Sequence, residues 1–122
     1  MKNSFVVEQS IKSVCDEIDN LKEKLKLLGI DPRDYYKVID SLTVVRLHLD
    51  SMRWGVIVVI GSKRVKRQVE GTIEAFESCM NHIRRLDTKY EFTEQEKLEL
   101  YRFEYQLKNL SKELKRELIR DV

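Results

Sequence analysis

Apolar positions in this chain recur with helical period, and they are densest between residues 35 and 60, where sixteen of twenty-six residues are apolar. Tyr35, Val38, Leu42, Val45, Leu49, Met52, Val56 and Val59 alternate at spacings of three and four, the signature of a helix with one buried stripe. A thinner stripe of Tyr36, Leu47, Trp54 and Val58 falls roughly 180° away at about 100° per residue. Arg46, Asp50 and Arg53 separate the two stripes on one side, and Lys37, His48 and Ser51 on the other. A helix apolar on two sides needs two neighbours. It is therefore either central in the fold, or buried on one side and joined to a partner on the other.

The flanking segments predict three more helices. Val7, Ile11, Val14, Ile18, Leu21, Leu25 and Leu28 step 4-3-4-3-4-3, so helix one spans about Ser4 to Leu28 with a heptad seam. Such a seam serves a core or a coiled coil equally. Gly29 is placed for a left-handed C-cap with Ile30 behind it. Asp31-Pro32 then reads as an N-cap followed by proline at the first helical position, with Asp34 well placed in the first turn. So short a link predicts that helices one and two are antiparallel.

The end of helix two has two readings. Gly55 and Gly61 bracket a β-branched run, Val56 to Ile60, that suits helix or strand. In the minor alternative, 56–69 forms a short β-hairpin beside three helices. The main reading follows Val65, Val69, Ile73, Phe76, Met80, Ile83 and Leu86, whose 4-4-3-4-3-3 spacing is not that of a strand. Helix three then covers about Ser62 to Leu86, capped by Ser62 or Gly61. Gly71 within it costs about 1 kcal/mol relative to alanine and points to close packing or a bend. After a loop over 87–92, Thr93-Glu94-Gln95-Glu96 forms a capping box. Helix four runs from there to about Arg120 along Leu100, Phe103, Leu107, Leu110, Leu114 and Leu118. Tyr90, Phe92, Tyr101 and Tyr105 are expected to close one end of the core. The expected fold is all-α: a single domain, 1–122, forming an antiparallel up-down-up-down four-helix bundle.

Composition adds limits. A chain of 122 residues buries roughly two thirds of its unfolded surface without help from disulfides or a metal. Its 23 basic and 21 acidic side chains leave +2, so any affinity for nucleic acid must come from a local patch. The opening residues lack the apolar run of a signal peptide, and the longest apolar run, Val56 to Ile60, is far short of the roughly twenty residues that span a membrane. A cytoplasmic protein without membrane partners is expected, with Cys15 and Cys79 as buried free thiols.

No catalytic pattern emerges, and a non-enzymatic role without cofactor or small-molecule substrate is expected. His48 and His82 have no histidine or cysteine at helical ligand spacing, so no metal site is expected. Glu70, Glu74 and Glu77 share a helix face that reads as solvated. Lys63, Arg64, Lys66 and Arg67 crowd the start of helix three, the end where the helix dipole disfavours cations. That placement suits a phosphate or an acidic surface.

Two functions follow. The first is an adaptor or regulatory protein that binds another protein or a second copy of itself through Tyr36, Leu47, Trp54 and Val58, with Arg46 and Arg53 alongside; aromatic, aliphatic and arginine residues compose interface centres. The second is nucleic-acid binding through Lys63, Arg64, Lys66 and Arg67.

Overall fold

Capping chemistry marks the end of the first helix and the starts of the other three. A computed structural model describes residues 2–54 and 62–119. Within them lie α1 (Lys2–Lys26), α2 (Pro32–Trp54), α3 (Lys63–Lys89) and α4 (Glu94–Leu118). Gly29 takes φ +64°, the left-handed conformation that closes α1. Asp31 Oδ1 accepts from the Arg33 N–H at 2.9 Å and starts α2. The Ser62 hydroxyl accepts from the Val65 N–H at 3.2 Å to cap α3. The box at α4 is complete: Glu96 N–H donates to Thr93 Oγ1 at 3.2 Å, and Thr93 N–H donates to Glu96 Oε1 at 2.8 Å.

Residues 65–69, the returning strand of the hairpin alternative, lie inside α3. The described residues contain four helices and no strand, so the fold is the four-helix bundle. The question of helix or strand at Val56 to Ile60 lies outside the described residues, as does Val58. One boundary moves: α3 continues to Lys89, and the loop expected over 87–92 shrinks to 90–93.

The helices form a ring in which α1 touches α2 and α4, and α3 touches α2 and α4, while the diagonal pairs stay apart. Helix α2 is thus not central; its most extensive seam is with α3. Inside the ring, Ile18, Leu42, Val45, Leu49, Val69, Phe76, Leu107 and Leu114 are fully enclosed. Among the described residues, the stripes read from the spacing are the buried faces of the four helices, with Leu28, Tyr35 and Ile73 partly buried at their margins; Val56 and Val59 lie outside the described residues. Losing one such leucine to alanine costs about 2–5 kcal/mol. Thr72 is also sealed in, and its hydroxyl donates to the Gln68 carbonyl at 2.7 Å, which satisfies it within its own helix. Among the described residues, no helix is long and apolar enough to cross a membrane.

Candidate functional site

The outer face of α2 carries the first predicted site. Tyr36 and Leu47 are 62% and 63% exposed, while the inner stripe of the same helix is sealed. Val44, which the thinner stripe omits, joins them at 46%. Asp40, Thr43 and Ser51 intervene, so the face is mixed rather than continuously apolar. The side chain of Trp54 lies outside the described residues.

Arg46 belongs elsewhere. Its guanidinium reaches Asp19 at 3.2 Å and Asp50 at 3.8 Å, and donates to the Cys15 carbonyl at 2.9 Å. It ties α2 to α1 and does not frame an outer interface, because its position, one residue past Val45, faces the α1–α2 seam. Arg53 is half-buried and already engaged.

The second predicted site lies on the first turns of α3. Lys63, Arg64, Lys66 and Arg67 are all exposed and make no ion pair with the described residues. Antiparallel packing brings the last turns of α4, with Lys112, Lys115 and Arg116, to the same end of the bundle. The opposite end carries Asp87, Glu91, Glu94 and Glu96.

Other expectations are redistributed. Tyr90 and Phe92 stack at 6.0 Å and rest against the core. Tyr101 and Tyr105 turn outward with Leu98, at 50%, 65% and 53% exposure. The 3-4 spacing of Leu98, Tyr101 and Tyr105 carried that signal, since the stripe lies opposite Leu100, Phe103 and Leu107. Between α3 and α4, Arg84 Nε pairs with the buried Glu104 at 3.2 Å, and the exposed Tyr101 Oη donates to Asp87 at 2.7 Å. Glu70, Glu74 and Glu77 are solvated. Among the described residues, no three histidine, cysteine, aspartate or glutamate side chains gather as a metal cluster would require.

Both thiols are buried and unpaired by any disulfide. Burial pushes the Cys79 thiol up to about 12, with the Glu104 charge adding to the effect. Burial likewise raises the Cys15 thiol, against the opposing pull of Arg46.

A groove between α2 and α3 was not legible as a site in the sequence. It holds a small cavity of about 60 Å³ lined by Asp34, Lys37, Val38, His82, Arg85, Leu86 and Lys89. A wider one of about 300 Å³ adjoins it through Lys37 and His82 and is lined also by Asp40, Ser41, Val44, Ala75 and Ser78. No protein-family model, curated protein or solved structure matches the chain.

Proposed function

We propose that this protein is a helical interaction module that pairs with a second copy of itself through the outer face of α2, and that it acts as an adaptor or regulator rather than as an enzyme. The observation behind this reading is the exposure of Tyr36, Val44 and Leu47 on a helix whose other face is completely buried. Two copies packed antiparallel cover these residues. A two-fold pairing through one face is self-complementary.

Light scattering tests it: the expected mass is twice the 14.6 kDa of one chain. Leu47→Lys returns the mass to one chain without loss of helicity. A single-chain mass for the unaltered protein across the accessible concentrations refutes the pairing.

A second reading rests on the four cations at the start of α3, which make no ion pair among the described residues. Uncompensated charges grouped this closely suit a phosphate backbone. This reading expects retardation of DNA or RNA at low salt, lost when Lys63, Arg64, Lys66 and Arg67 become glutamine. Absence of any low-salt shift removes it.

A further inference from the structure

We propose that the groove between α2 and α3 binds a small organic phosphate, with the phosphoryl group against Lys37, His82 and Arg85 and the organic portion in the wider cavity beside Val44 and Ala75. Three features carry this. The first is a charge imbalance. Asp34, the only carboxylate lining the small cavity, is already committed: its Oδ2 takes the Lys89 ammonium and the Tyr90 hydroxyl, each at 2.6 Å. Lys37 on the α2 wall and Arg85 on the α3 wall make no ion pair with the described residues. Beyond the Asp34–Lys89 pair, two further cations face one recess.

The second feature is the orientation of His82. Its Nδ1 lies 2.8 Å from the Ser78 carbonyl and 2.7 Å from Ser41 Oγ. A carbonyl only accepts, and Ser41 gives its single hydroxyl proton to the Lys37 carbonyl at 3.0 Å. Both partners of Nδ1 are therefore acceptors, so the proton sits on Nδ1. Nε2 is left without a partner among the described residues, on a ring that lines both cavities. Serine and carbonyl hold the ring in place, and Nε2 is the atom that meets a ligand.

The third feature is size. The small recess has room for a few water molecules and hence for one oxyanion, while the adjoining 300 Å³ matches the lower range of small-molecule sites. Asp40, the remaining carboxylate of the groove, lines only the wider cavity. The site lies on the α3 side of α2 with Leu47 absent from its walls, and it shares one residue, Val44, with the face proposed for pairing.

The test is a titration of the full chain with phenyl phosphate and, separately, with inorganic phosphate, read from the ring signals of His82 by NMR with His48 as internal reference. It is run on the unaltered chain and on Leu47→Lys, so that loss of pairing and loss of binding are read separately. Saturable movement of the His82 signals is expected in both chains, with phenyl phosphate the tighter ligand. Lys37→Gln and Arg85→Gln each weaken binding about tenfold, the effect of one charge-assisted hydrogen bond, whereas Lys63→Gln leaves it unchanged. Unmoved or non-saturating His82 signals overturn the site, as does binding undiminished in Lys37→Gln and Arg85→Gln. Equal affinity for the two phosphates overturns the organic portion of the assignment.

Discussion

The Tyr90 hydroxyl joins two segments that lie far apart in the chain: it donates to Asp34 Oδ2 at 2.6 Å and accepts the Asp31 N–H at 3.0 Å. One phenol thereby ties the end of α3 to the turn that begins α2. Tyr90→Phe deletes both bonds and leaves the ring on the core. A loss of about 1 kcal/mol is expected, the net worth of a partly buried hydrogen bond, measured by urea denaturation.

Asp34 gives this corner a pH dependence. Hydrogen bonds from Lys89 and then Tyr90 hold its carboxyl below the ordinary carboxylate value. A carboxyl lowered by folding stabilises the fold fully above its unfolded value, roughly pH 3.9, and that contribution fades as pH falls through the lower folded value. Asp34→Asn should therefore be less stable than the parent at neutral pH, with the difference narrowing below pH ~4. Acid titration followed by circular dichroism checks it.

Gly71 sits within α3, and a methyl group added there meets only the His48 ring, at 3.6 Å. That is ordinary van der Waals distance, so no clash explains the glycine. Gly71→Ala should stabilise the protein by about 0.5–1 kcal/mol by restricting the unfolded chain, read as a raised thermal midpoint.

Leu47 and Leu49 separate two roles two residues apart. Leu49 is fully buried and Leu47 is 63% exposed. Leu49→Ala should cost about 2–5 kcal/mol, and Leu47→Ala within ~0.5 kcal/mol of nothing in the isolated chain. Comparable losses at both sites would mean that the outer face is not outer.

The thiols offer a direct probe of the core. Cys79 is sealed, and its thiol is pushed up to about 12; the reactive thiolate is then scarce at neutral pH. Cys79 is expected to resist a thiol reagent in the native protein and to react at once in denaturant. Cys15, 1% exposed, should behave alike.

Much of this was legible in the chain because helical period and caps act locally. The 4-3 spacing of Val7 to Leu25 marked the buried side of α1, and Thr93 with Glu96 marked the start of α4. What escaped depends on neighbours. Arg46 had the residue type of an interface, yet Asp19 and Asp50 draw it into the seam with α1. No spacing rule within one helix reports a carboxylate on another. Tyr101 and Tyr105 were assigned to the core by residue type, although their position opposite Phe103 and Leu107 already placed them outward. His82 looked like a lone surface histidine; only the antiparallel register of α2 and α3 brings Ser41 and Lys37 beside it.

In the ring of helices, three of the four seams join elements consecutive in sequence, and only the α1–α4 seam links the chain's two ends, as in the bond from Ser10 to Glu113 across 103 positions. Most native contacts therefore close short loops, which is inexpensive in chain entropy, and folding should be fast, on the order of milliseconds or less. Docking of the first helix on the last is the step with the largest search. Substitutions along that seam, such as Leu110→Ala, should slow refolding more per unit of lost stability if the closure is rate-limiting, and should chiefly hasten unfolding if it comes after the barrier.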